Sequence, residues 1–166
     1  MTDGNARPID LSMLLNQASY ALANRLAAAL EEVDVSVHVY CALAKAAESQ
    51  CTQRELAERA FMDKTTMVVT LDEMERRGLA TRRLSPADRR VRVVEVTPEG
   101  KRVLDRADRI VRDVYDEVLD VVPKSQRAAF VRTLERLVTG PLATPFHMEQ
   151  PVRRRRAPAA GRSRSS

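Results

Sequence analysis

The stretch from Cys51 to Gly100 constrains this chain more than any other, because its hydrophobic period changes from about 3.6 to 2 and back again. Thr52 followed by Glu55 predicts a capping box, in which each side chain satisfies an amide that the helix start leaves orphaned. Leu56, Ala57 and Ala60 give that helix its inner face. Asp63 caps a second helix, whose apolar side is Met67, Leu71 and Met74 with Thr70 beside them. These positions recur at three and four residues and so share one stripe. Arg76-Arg77-Gly78 ends the helix: cations suit its carbonyl end, and glycine accepts the positive φ that commonly follows. Leu79–Leu84 and Val91–Val96 then read as short strands, with turn chemistry from Ser85 to Arg90 between them. Thr97-Pro98-Glu99-Gly100 opens a new helix with proline at its first position. The order is helix, turn, helix, two-stranded ribbon, helix.

The ribbon is basic. From Arg76 to Arg92 there are seven arginines against a single acid, Asp88. Cations so crowded repel one another, and nothing nearby is expected to neutralise them as a set. A polyanion that releases its counterions on contact would relieve that repulsion. Combined with the helix-turn-helix, this points to double-stranded DNA as the partner rather than to a merely solvated hairpin.

The segments TQRELAERAFMDKTTMVVTLDEMERRGL and RRLSPADRRVRVVEVTPEG resemble the winged helix-turn-helix of the MarR (multiple antibiotic resistance regulator) family of bacterial transcription regulators. The resemblance covers about Leu11 to Val138 and is strongest from Thr52 to Gly100. Its most specific part is the Asp-Arg-Arg wing followed by Thr-Pro-Glu-Gly. It implies a mostly α fold, a winged helix-turn-helix with a small β-wing and flanking dimerisation helices. It also implies a homodimer on a pseudo-palindromic operator, with repression the commoner outcome. The expected organisation is a flexible arm over 1–9, a MarR-like domain over 10–140 and a disordered Arg-rich tail over 141–166. Within the domain the winged helix-turn-helix takes about 34–97, and the dimerisation helices about 10–32 and 98–138.

The 166 residues suffice for one domain with appendages, and five glycines with no tryptophan favour helix. No apolar run approaches the roughly 18 residues of a membrane span, and Met1 to Asp10 lacks the features of a signal peptide. A cytoplasmic protein without a membrane partner is expected. The net charge of +5 is not a property of the whole. Pro151–Ser166 holds six of the 28 Lys+Arg; without them 22 stand against 23 Asp+Glu, a net of −1. The body is near neutral and its positive charge is gathered at the wing, which suits a protein that presents one face to DNA.

The flanks are helical. Leu11, Leu14, Leu15, Ala18, Leu22, Leu26 and Leu30 make a wide face on a first helix from Asp10 to about Glu32. Val37, Tyr40, Cys41, Leu43 and Ala44 are expected to point mostly inward on a second, over Val35 to Ala47, capped by Ser36. From Pro98 to about Val121, the positions Val103, Ala107, Ile110, Val114 and Val118 step like a coiled-coil seam, with Leu104, Val111 and Leu119 beside them. Pro123 breaks that helix, and a last one runs from Ser125 to Val138. So much apolar helix exceeds what one small winged unit covers, which favours a two-fold dimer over helices folded back on a monomer. Two recognition helices about 34 Å apart would then read a palindrome.

The recognition helix is expected from Asp63 to Arg77, with Lys64, Thr65, Thr66, Val68 and Val69 outward near its start. Lys64 and the threonines suit base edges or phosphates, and valine methyls suit the thymine methyl; the two valines could instead pack against the preceding helix. Thr52 and Gln53, at a helix N-terminus, suit a phosphate. By the family pattern, Arg90 with help from Arg89 enters the minor groove, and Asp88 orients the Arg90 guanidinium. Arg76, Arg77, Arg82 and Arg83 are phosphate candidates, some of them pairing with Asp72, Glu73 or Glu75. The resemblance further implies release of DNA by a small phenolic or aromatic ligand, for which Tyr20, His38 and Tyr40 are candidates. Cys41 and Cys51 offer neither a disulfide framework nor metal spacing, and the first helix lacks the cysteine that peroxide-sensing relatives carry there. Two distant histidines and no Gly-rich loop give no catalytic constellation and no metal or cofactor site. The rival reading is a winged helix used for protein contact, which would need no basic wing.

Overall fold

The computed structural model describes residues 10–85, 88 and 90–143. The expected arm over 1–9 and, of the expected tail over 141–166, everything from 144 onward lie outside the described residues. In chain order come α1 (Leu11–Leu30) with a 3-10 turn, α2 (Val37–Glu48), β1 (Cys51–Thr52), α3 (Gln53–Arg59), α4 (Lys64–Arg76), β2 (Ala80–Leu84) and β3 (Arg92–Val96). Next are α5 (Pro98–Val118), which closes in a second 3-10 turn, and α6 (Lys124–Thr139). This is the expected mostly α winged helix-turn-helix.

The helix starts follow from their caps. Asp10 accepts from the Met13 amide, Ser36 from Val39 and Thr97 from Gly100. Thr52 and Glu55 form the complete capping box. Such side chains replace the partners that the first turn of a helix lacks. The ribbon gains a strand that periodicity did not reveal: Cys51–Thr52 pairs with Val93–Val94, giving a three-stranded antiparallel sheet in the order β1-β3-β2. Two residues are too few to show a period, and a cap and a short strand share the same extended backbone.

The core joins the end of α1, the inner side of α2, one side of α3 and α4, the sheet and the first half of α5. Leu30, Val39, Ala42, Leu56, Met67, Leu71 and Met74 are fully shielded from solvent. Burying each large side chain among them contributes about 1.5–3 kcal/mol. Three expected stripes shift. On α2 the deepest residues are Val39, Ala42, Leu43 and Ala46, whereas Val37, Tyr40, Cys41 and Ala44 are half-buried, because the helix packs on α4, α5 and β3 at once. On α5 the buried line is Leu104, Ala107 and Val111; Val103, Ile110 and Val114 flank it. On α1 only Leu26 and Leu30 are buried, and Leu11 and Leu14 stand more than half exposed. No described residue of α6 is buried, and Phe130, Val131 and Val138 face outward.

The wing root is locked to α5 by a close approach. A Cβ built on Gly100 would lie 2.0 Å from the Leu79 carbonyl oxygen and 2.8 Å from Val96 Cγ1. The Thr97 amide donates to that same carbonyl at 3.0 Å, so the oxygen cannot retreat without breaking a bond. Gly100→Ala should therefore destabilise the protein by about 1–3 kcal/mol, the usual cost of overpacking, read as a lowered urea midpoint.

Candidate nucleic-acid interface

Helix α4 is dry on one side and open on the other. Met67, Thr70, Leu71 and Met74 are buried as expected, while Lys64 and Thr65 are exposed and Val69 is 64% exposed. Val68 is half-buried, intermediate between its two readings. Asp63 holds the N-terminus: its Oδ1 accepts from the Thr65 and Thr66 amides at 2.8 and 3.0 Å, and its Oδ2 accepts from Thr66 Oγ1 at 2.6 Å. Thr66 thus spends its hydroxyl proton within the cap, whereas Lys64 carries no partner among the described residues. Before α4 the chain turns through Phe61, a 68% exposed aromatic at φ +51°, in the left-handed region where bulky side chains are rare.

At the start of α3, Thr52 Oγ1 accepts from the Glu55 amide at 3.2 Å, and the Thr52 amide donates to Glu55 Oε2 at 2.7 Å. The polar atoms of Thr52 are therefore engaged within the helix start, and Gln53 is half-buried beside it.

The wing arginines are not the unneutralised set that the sequence suggests. Arg82 donates through Nη2 to Asp72 Oδ1 at 2.7 Å and through Nη1 to Glu75. Arg77 lies 3.3 Å from Asp34 and 3.4 Å from Glu73, with its side chain only 19% exposed. Arg83 pairs across the ribbon with Glu95 at 3.2 Å. The acids come from α4, the neighbouring strand and the turn after α1, so a count confined to Arg76–Arg92 could not include them. Pairing with Glu73, Glu75 and Asp72 was legible from α4; Asp34, distant in sequence and itself at φ +53°, was not.

What remains open is a smaller set. Arg76, Arg90 and Arg92 are exposed and have no acidic partner among the described residues. Arg92 is the position that sequence reasoning counted but did not single out; its exposed place at the wing end of β3 was the available signal. Asp88 Oδ1 accepts from the Arg90 main-chain amide at 2.9 Å, an Asx-type turn that shapes the loop. The turn closes with Val91 N donating to the Asp88 carbonyl at 3.0 Å and Ser85 N to the Val91 carbonyl at 2.8 Å. Arg89 lies outside the described residues.

The three ligand candidates do not form one cluster. His38 is exposed and lines a shallow groove with Ser36, Thr65, Thr66 and Val69 of the α2–α4 side. Tyr40 points to α5, where its hydroxyl donates to Asp108 Oδ1 at 3.0 Å; burial first, then this bond, pushes the phenol far above its ordinary pKa. Tyr20 is 71% exposed on α1. Burial raises the thiol pKa of Cys41 and Cys51 above the ordinary value. No group of three metal-ligating side chains occurs among the described residues, nor does a helix long and apolar enough to cross a membrane.

Comparison with known proteins places this arrangement. A profile of the MarR family matches residues 41–91. Transcriptional regulator HosA of Escherichia coli O111:H- is 34% identical over 86 residues, 52% of this chain. The match spans 64% of that curated relative's length. CouR of Rhodococcus jostii RHA1, solved with p-coumaroyl-CoA bound, is 28% identical with a TM-score of 0.72, over 80% of this chain and 94% of CouR. A mutant MarR of E. coli solved with operator DNA shares the fold, with a TM-score of 0.69 at 20% identity over 78% of this chain and 94% of that one.

The caps carry a pH dependence. Bonds from the Thr66 hydroxyl, the Thr66 amide and the Thr65 amide hold the Asp63 carboxyl below its ordinary 3.8. A depressed folded pKa means the contribution is complete above pH 3.8 and is lost as pH falls through the lower folded value. Asp63→Ala should lower the urea midpoint at neutral pH, and the gap to the parent should close as melts are run at successively lower pH below 3.8.

Proposed function

We propose that this chain, which is similar to MarR-family regulators, is a DNA-binding transcriptional regulator that represses by occupying a pseudo-palindromic operator as a homodimer. The observation that carries the reading is the bare side of α4 together with the exposed cations Lys64, Arg76, Arg90 and Arg92, none of which has an acidic partner among the described residues. In this reading Lys64, Thr65, Thr66, Val68 and Val69 meet the major groove, where the valines favour thymine methyls. Gln53 and the helix start at Thr52 face the phosphates, with Arg76 and Arg83 beside them; a phosphate competes readily for Arg83, whose pair with Glu95 is solvent-exposed. Arg90, with Arg89, enters the minor groove from the turn that Asp88 shapes. Arg77 and Arg82 are set aside as phosphate contacts, because their guanidinium groups are already held by carboxylates.

The dimer is supported by apolar surface that one chain leaves bare. Leu11, Met13 and Leu14 of α1, Val118 and Val121 at the end of α5, and Phe130, Val131 and Val138 of α6 are all exposed. Patches of this kind mark contact surfaces. Sedimentation equilibrium should give twice the 18.6 kDa chain mass. A chain mass that stays single at working concentration would remove the palindrome with it.

A small aromatic effector is a second reading, supported by the acyl-CoA bound to CouR. Tyr20, His38 and Tyr40 are its candidate contacts, though His38 and Tyr40 leave α2 on opposite sides and could not serve one pocket within a single chain. Thermal shift against a panel of aromatic acids and their CoA thioesters tests it, and no stabilisation by any of them counts against it.

Selection from a random duplex pool tests DNA binding directly. Recovery of an inverted repeat with half-sites about one helical turn apart is expected; a pool that stays random, with no salt-dependent shift, would favour a winged helix for protein contact. On the selected duplex, Arg90→Ala should cost about 1–3 kcal/mol and flatten the salt slope by roughly one unit. Equal affinity at matched salt would exclude Arg90 from the interface.

A further inference from the structure

We infer that Arg82 is a positioning residue that fixes the wing at a set angle to α4, so that the groove contacts of the two are made together; the inference rests on the DNA-binding reading above. Arg82 is the last residue of β2 tied to the body. Its amide donates to Glu75 Oε1 at 2.8 Å, its Nη1 to Glu75 Oε2, and its Nη2 to Asp72 Oδ1 at 2.7 Å. Asp72 and Glu75 stand three apart on α4 and thus on one face, and the planar guanidinium spans both. The Arg82 side chain is 22% exposed, whereas Leu84, Arg90 and Arg92 beyond it face solvent.

The geometry explains why such a clasp would matter. Three residues, Arg83 to Ser85, carry the paired ribbon about 10 Å past Arg82 at ~3.3 Å per residue. A tilt of about 10° at the root would then move Ser85 and Val91 by about 1.7 Å, more than a quarter of a minor groove only ~6 Å wide. Arg82 is also a poor phosphate ligand where it stands. Two carboxylates over-neutralise it, and Asp72, 60% exposed, would repel an approaching phosphate.

The two roles predict opposite outcomes. If Arg82 positions the wing, Arg82→Gln should weaken binding to the selected duplex about tenfold, within the range of coupled neighbours, while leaving the salt slope unchanged. In that background Arg90→Ala should add little, because a misplaced wing has little left to lose. Glu75→Gln should also weaken binding, although it removes an acid from the face presented to DNA. A slope reduced by about 0.9, multiplying independent costs for Arg82→Gln and Arg90→Ala, or tighter binding by Glu75→Gln would each assign Arg82 to the phosphates and overturn the proposal. Arg82→Lys, which keeps the charge but not the fork, repeats the test should the glutamine variant fail to fold.

Hydrogen exchange on the free protein separates this proposal from the reading beneath it. Loss of the clasp should speed exchange of the β2 and β3 amides facing each other beyond Arg82, while α4 stays protected. Unchanged exchange would remove the clasp even if DNA binds. A clear exchange change in a protein that binds no duplex would sink the regulator reading alone.

Discussion

Met67, Leu71 and Met74 hold α4 against α2, α3 and the sheet, and the remaining arrangement depends on that contact. A helix of 13 residues is marginal by itself in water. Burying one stripe supplies its stability and at the same moment fixes which residues look outward. Position and exposure of Lys64, Thr65 and Val69 therefore come from a packing choice made on the opposite side of the helix. The cap at Asp63 finishes the job by ordering the first turn, where helices in the major groove meet base edges.

Charge is distributed by a second division of labour. Carboxylates of the C-terminal half of α4, with Asp34 and Glu95, take up Arg77, Arg82 and Arg83. The cations left over lie at the helix start, its last turn and the wing. A basic segment thus serves two ends: paired arginines build the shape, and unpaired ones give it a sign. The body stays near neutral, so long-range attraction to a polyanion is concentrated rather than spread.

Much of this was legible in the residues. Capping residues announced α2, α3, α4 and α5, because an N-cap is a local device whose partners lie two or three residues away. The stripe on α4 was legible because it has a single packing direction. The stripes of α2 and α5 were less so: each helix touches several elements, and periodicity cannot say which of two adjacent lines goes deeper. Strand β1 was hidden by its two-residue length, and the Asp34–Arg77 pair by its separation along the chain.

The joint at Gly100 has a mechanical consequence. Thr97 Oγ1 donates to the Gly78 carbonyl at 2.7 Å, its amide donates to the Leu79 carbonyl, and Gly100 sits against that same oxygen with no room for a methyl. The end of α4, the wing root and the head of α5 therefore share one rigid knuckle with no slack. The far end of α5 carries exposed Tyr115 and Val118. A load applied at that end would be passed through the joint to α4 and the wing rather than absorbed there.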